Sequence, residues 1–83
     1  MTEEVRNAVK EFILKEFLPG ENPAELTEVT PLITGGILDS IGTLKLVAFI
    51  EERFAISLEA HEVNRDHLNT IADIARLVHS KKS

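Results

Sequence analysis

The 83-residue chain has no cysteine. That excludes a disulfide framework and a thiolate metal site, and it leaves any thiol chemistry to a group added to the chain. Long apolar runs are also missing. The most apolar stretch, 41–50, is broken by Lys45 and falls well short of the roughly 20 residues a membrane helix needs. The start, Met1-Thr2-Glu3-Glu4, does not have the pattern of a signal peptide. These absences predict a soluble, cytoplasmic protein without a membrane span. Basic residues are few, with nine Lys and Arg against 14 Asp and Glu, for a net charge of −5. Residues 1–30 carry seven acids against three bases, residues 31–63 five against two, and residues 64–83 two against four. An acidic body repels nucleic-acid phosphates and argues against that class of partner. It suits basic protein surfaces, although a solvated acidic surface is common without any partner.

The patterns of several enzyme and ligand sites are missing too. A nucleophile elbow needs glycine two residues before and two after its serine. Around Ser40, Gly42 fills the second position but Leu38 occupies the first. His61, His67 and His79 lie downstream, yet 83 residues leave little scaffold for a triad and an oxyanion hole. The chain is therefore not expected to be an enzyme. His61 and His67 are six apart, which matches neither helical ligand spacing, so no metal site is expected. Gly35-Gly36 is not followed by Gly-Lys-Ser/Thr and is no phosphate loop. The sequence contains no internal repeat and no low-complexity segment.

What remains is a helical pattern. Val5, Ala8, Val9, Phe12, Ile13 and Phe17 recur at helical spacing and predict a helix over 3–18, with Thr2 as its cap and Glu3 and Glu4 in its first turn. Pro19-Gly20 ends it. Residues 19–39 then form a long connection broken by Pro23, Pro31, Gly35 and Gly36, with a short turn near Pro23-Ala24-Glu25. Leu26, Val29, Leu32 and Ile33 are expected to pin it to the core. Connections of this length in a small domain are often functional. A second helix is predicted over 40–54 and a single turn after Asn64. A last helix over 70–80 is opened by Thr70 with Asp73, and Ile71, Ile74, Ala75 and Val78 form its core face. Residues 1–83 thus read as one all-α domain: an antiparallel bundle of three main helices plus one short helix, with the long loop between helices 1 and 2.

The second helix opens on Asp39-Ser40, both good N-cap residues. Ser40 is expected at the helix start with its hydroxyl in solvent, where an attached anion gains about 0.3–1 kcal/mol from the dipole. On local spacing alone the pair is simply a cap. On a helical wheel Thr43, Leu46, Val47, Ile50 and Phe54 share one face, flanked by Leu44 and Phe49, and that face is expected to be core. The opposite face carries Ile41, Lys45, Ala48 and Glu52. Two apolar residues there, below Ser40, make a candidate docking patch for partner proteins. Thr43 is the one polar residue on the apolar stripe. It suggests a cargo cleft between the second and third helices bounded by Val47, Ile50, Val63 and Leu68, unless Thr43 simply bonds back to its own helix. Gly36 and Gly42 leave room around Ser40, although Gly42 reads equally as a tolerated first-turn glycine.

The run Gly36-Ile37-Leu38-Asp39-Ser40-Ile41, followed by Leu44, Val47, Ile50 and Phe54, resembles the acyl carrier protein family, and Thr30-Pro31-Leu32 also matches that family. The resemblance covers nearly the whole chain. It implies that Ser40, within the Gly36, Asp39 and Gly42 surroundings, takes 4′-phosphopantetheine from coenzyme A through a phosphopantetheinyl transferase. It further implies that the added thiol holds acyl or aminoacyl cargo as a thioester. A loading ligase and downstream processing enzymes then act on a carrier that itself catalyses nothing and is expected to be a monomer. Fatty acyl, polyketide, nonribosomal-peptide and D-alanyl carriers share this architecture, so the cargo stays open. Arg65-Asp66-His67-Leu68 departs from a Pro-Glu-Asn-Phe-like run, and Lys45 stands near a position where the family often has an acid. Lys45 leaves Asp39, Glu51 and Glu52 as the nearest acids for docking. The alternatives are a helical interaction module without a prosthetic group and a phosphorylation switch at Ser40.

Overall fold

Four helices carry the fold in the computed structural model, which describes residues 2–82. Helix α1 spans Thr2–Phe17, α2 Ser40–Phe54, α3 Arg65–Leu68 and α4 Ile71–Lys82. No strand occurs among the described residues, so the expected all-α bundle is what forms. The predicted Thr2 cap lies outside the described side chains.

Each helix follows from its local sequence. Val5, Val9 and Ile13 are buried at successive turns of α1, the stripe that a period of 3.6 places on one face. The Leu18 N–H closes α1 on the Ile13 and Leu14 carbonyls, and Gly20 then turns the chain with φ +87°. A 3-10 turn over Pro23–Glu25 is capped by Asn22, whose Oδ1 accepts the Ala24 N–H at 3.0 Å. Asn64 caps α3 through the Asp66 N–H. Only half of the expected Thr70–Asp73 pattern forms. The Asp73 N–H donates to Thr70 Oγ1 at 3.0 Å, while the Asp73 carboxylate turns to Arg76 at 3.1 Å.

The core is shared among helices and loop. Leu46, Ile50 and Phe54 of α2 meet Ile71, Ile74, Ala75, Leu77 and Val78 of α4 and the α1 stripe in one cluster. Leu26, Leu32 and Leu38 from the long connection are buried with them. Val29, expected to pin that connection, is instead 74% exposed. The adjacent Glu28 fastens this part of the loop, its carboxylate beside Arg6 of α1 and its carbonyl accepting the Ala72 N–H at 3.1 Å. All four phenylalanines of the chain line up between α1 and α2. Phe12 stacks on Phe49 at 4.3 Å between centroids, Phe17 meets Phe12 edge-on, and Phe54 meets Phe49 edge-on. Such pairs add about 0.5–1.5 kcal/mol each beyond their buried area.

The connection 55–64 contains an unpredicted 3-10 turn, Ala60–Glu62. Glu51 is tied into this segment, its Oε2 accepting the Leu58 N–H at 2.8 Å. At the other end Lys82 Nζ donates to the Phe54 carbonyl, and Lys81 Nζ stands 2.6 Å from Glu62 Oε1. The backbone N–H of Glu59 and then Lys81 hold the Glu62 carboxyl below its ordinary 4.5. A lowered acid stabilises the fold fully above its unfolded value and loses that contribution as pH falls through its folded value. The stability gap between the native chain and Glu62→Gln is therefore expected to be open near neutrality and to close below pH 4.5. Thermal midpoints across that range check it, and a gap constant with pH would contradict it.

Candidate functional site

The site is built at the start of α2. Asp39 is the N-cap in extended conformation, and its Oδ1 accepts the Gly42 N–H at 2.6 Å. Ser40 is therefore the first helical residue rather than the cap, and it is exposed. Its hydroxyl makes no hydrogen bond among the described residues. The first-turn N–H groups of Ser40 and Ile41 have no intrahelical acceptor, because a helix leaves its first donors free. An oxyanion attached to Ser40 would meet those donors and the positive dipole end.

Of the two glycines expected to leave room near Ser40, Gly36 borders open space and Gly42 does not. Gly42 is buried, and a Cβ there would stand 3.0 Å from the Phe17 ring and 3.1 Å from Asp39 Oδ1. Its missing side chain admits the end of α1, not an approaching group. Gly36 faces open space but has φ +83°, which a glycine adopts without strain. Gly35 is needed for space: a Cβ there would lie 2.2 Å from the Pro31 carbonyl oxygen. Gly35→Ala is expected to cost about 1–3 kcal/mol, the range for overpacking against a surface that cannot yield freely. Urea denaturation measures it, and an unchanged midpoint would show that the loop relaxes without penalty.

Asn69, between α3 and α4, is the residue that sequence reasoning missed. Its Oδ1 accepts the Ile33 and Thr34 N–H groups at 2.9 and 3.0 Å, and its carbonyl accepts the Leu32 N–H at 2.5 Å. The Leu38 N–H then closes on the Leu32 carbonyl at 2.8 Å. Nothing in the local sequence announces a partner 36 positions away.

The proposed docking face lies on the surface. Ile41 is 66% exposed, and Lys45, Ala48 and Glu52 are exposed beside it. Leu44, expected on a flank of the core, is 63% exposed and belongs to the same face. It shares a helical stripe with Ser40 and Ala48, at i, i+4 and i+8.

The residues expected around a cargo cleft divide. Ile50 and Leu68 are fully buried and fill the core, while Thr43, Val47 and Val63 are half-buried. The Thr43 hydroxyl donates to the Asp39 carbonyl at 2.8 Å, the back-bond that competes with a role in lining a cleft. His61 is less isolated than its spacing implied, since its ring and the Glu59 and Glu62 carboxylates gather within 4.8 Å. Lys81 already neutralises Glu62 there. His67 bonds Asn64 Oδ1 through Nδ1 at 3.0 Å. No helix of the described residues is long and apolar enough to cross a membrane.

No family model matches the chain. Curated relatives do. A D-alanyl carrier protein of Streptococcus suis (strain 05ZYH33) is 36% identical over 78 residues, covering 87% of this chain and 98% of the relative. A D-alanyl carrier protein of Streptococcus suis (strain 98HAH33) is 30% identical over 81 residues, covering 93% and 99%. Among solved structures, a chain from one described as "Crystal structure of FAD-dependent dehydrogenase" superposes with a TM-score of 0.76 at 33% identity, covering 84% of this chain and 97% of the matched one. The matched chain is therefore itself of small-domain length.

Proposed function

Because the chain belongs to the acyl-carrier-like family of small carrier proteins, which present cargo to enzymes rather than catalyse, we propose that Ser40 is where its prosthetic arm attaches and that its cargo is an amino acid, D-alanine first among candidates. The observation that carries the attachment is the exposed, unengaged Ser40 hydroxyl at the first position of α2, with Asp39 already committed to the Gly42 N–H. The surroundings fit 4′-phosphopantetheine: the serine is open to solvent, the space by Gly36 is empty, and the first turn of α2 has N–H groups without intrahelical acceptors that would favour an attached phosphodiester. When attached, the arm supplies the thiol that this cysteine-free chain lacks, and cargo is held on it as a thioester.

The chain's own residues have three tasks. Ser40 Oγ is the nucleophile that attacks the arm's phosphorus in coenzyme A: the Oγ–P bond forms as the pyrophosphate P–O bond breaks, adenosine 3′,5′-bisphosphate leaves, and the serine proton passes to the transferase. Asp39 holds the helix start rigid through its cap. Ile41, Leu44, Lys45, Ala48 and Glu52 form the surface that a transferase, a loading ligase and later enzymes grip in the cytoplasm. Support for D-alanine comes from the names of the relatives that span nearly the whole chain. The test is intact-mass analysis in two steps. Coenzyme A and a broad-specificity transferase should add one phosphopantetheine. A D-alanine-activating ligase with ATP should then add one alanyl group. A loaded arm that refuses D-alanine but accepts another amino acid or a fatty acid would replace the cargo and keep the carrier. A phosphate, or no addition in cells that contain a transferase, would favour the switch or the bare interaction module.

A further inference from the structure

We propose that Asn69 is a positioning residue for the modification of Ser40: one side-chain amide, reaching from the α3–α4 junction, sets the path of the loop that delivers the serine. The proposal rests on the reading of Ser40 as the attachment site.

Residues 31–39 belong to no helix or strand, so their backbone groups need partners elsewhere. Asn69 supplies them for three consecutive residues, with its carbonyl on the Leu32 N–H and its Oδ1 on those of Ile33 and Thr34. An amide oxygen has two lone pairs and can serve both N–H groups at once. The two donors also fix which end of the amide is oxygen, and this turns Nδ2 toward Thr34 Oγ1 at 3.2 Å. The loop then closes on itself. The Gly36 N–H meets the Ile33 carbonyl at 3.2 Å and the Leu38 N–H meets the Leu32 carbonyl at 2.8 Å. Leu38 is two residues before Ser40.

The buried side chains of Leu32 and Leu38 anchor the two ends of this loop in the core. Burial is not directional, so it holds the ends without fixing the direction in which the chain leaves. Hydrogen bonds to Asn69 supply that direction. For a transferase the direction matters, since the Ser40 oxygen must come into line with the phosphorus it attacks. A misplacement of about 1 Å by a residue remote from the chemistry can cost on the order of a hundredfold in rate.

Three variants of the 83-residue chain test this. Asn69→Leu keeps the bulk and loses both acceptor roles. Asn69→Asp keeps both acceptors, and Thr34 can donate to it. Val78→Ala weakens the buried face of α4 one turn before Lys82, whose Nζ reaches the Phe54 carbonyl at the opposite end of α2 from Ser40, and serves as a control for loss of stability alone. Each is measured for thermal midpoint, amide exchange and steady-state modification with coenzyme A and the transferase. Asn69→Leu should lower kcat/KM for the carrier about tenfold or more relative to Val78→Ala, with the KM for coenzyme A unchanged. Exchange at Ile33 and Thr34 should quicken while Ile13 and Ile74 keep their protection. Asn69→Asp should recover to within about threefold of native, since both backbone donors keep an acceptor. If Asn69→Leu does not fold, Asn69→Ser, too short to reach both donors, takes its place. Modification of the folded variant as fast as Val78→Ala, or Asn69→Asp as slow as Asn69→Leu, would overturn the proposal alone. A native chain that is never modified would overturn the carrier reading as well.

Discussion

Ser40→Ala is expected to fold with native stability and gain no mass from coenzyme A and a phosphopantetheinyl transferase. The loss should be complete, because Oγ is the atom that forms the new bond to phosphorus. No neighbour can replace it: the Thr43 hydroxyl is bonded to the Asp39 carbonyl, and Asp39 itself caps Gly42. Stability should hold because the Ser40 side chain is exposed, and alanine is favoured over serine in a helix by at most about 0.5 kcal/mol. Asp39→Ala gives the contrast. It removes a capping hydrogen bond and should cost about 1 kcal/mol of stability while leaving an acceptor hydroxyl in place. Intact-mass analysis reads the first effect and denaturant midpoints the second. A phosphopantetheine found on the alanine variant, or none on the native chain, would remove Ser40 from its proposed role.

The next largest effect is expected from Ile41→Asp combined with Leu44→Asp. Both side chains are more than 60% exposed, at 66% and 63%. Leaving them in water forgoes roughly 1.5–3 kcal/mol that full burial of each would give. A single exposed apolar residue needs no explanation, but two beside an attachment serine, with Ala48 next to them, form a contiguous face. Each substitution should slow Ser40 modification about tenfold and the pair about a hundredfold, near 2.7 kcal/mol of lost transition-state binding if the two act independently. The thermal midpoint should barely move. Ile41→Asn with Leu44→Asn, which adds no charge, should be slowed in the same direction if apolar contact is what the partner reads. Native rates in the aspartate pair would make this face ordinary surface. A collapsed midpoint would mean that the face supports the fold rather than the partner.

Much of the architecture could be read from the residues because its causes are local. Val5, Val9 and Ile13 announce one buried stripe of α1, and Ile71, Ile74, Ala75 and Val78 announce that of α4, since the period of a helix is fixed by its own hydrogen bonds. Asn64 and Asp39 mark helix starts because their side chains bond backbone donors two or three residues on. The long loop was legible from its prolines and glycines. Its anchors were only partly so: Leu26 and Leu32 are buried as expected, Leu38 joins them, and Val29 does not. All four are apolar residues in irregular chain, where no period says which side faces inward.

By itself, then, the sequence determined the helices, the capping residues Asp39 and Asn64, the Gly36-to-Ile41 motif and the exposure of Ser40. The tertiary structure decided what surrounds them. A helical wheel gives the angle of Leu44 and Val47 but not how wide an arc the neighbouring helices cover, and the arc leaves Leu44 63% exposed. Gly42 is a packing residue only because Phe17 arrives from the end of α1. Asn69 matters only because the chain returns, 36 residues after Ile33, to the same backbone donors. Local periodicity is fixed by bonds a few residues long. Which groups meet across the bundle is fixed by the packing of all the helices at once.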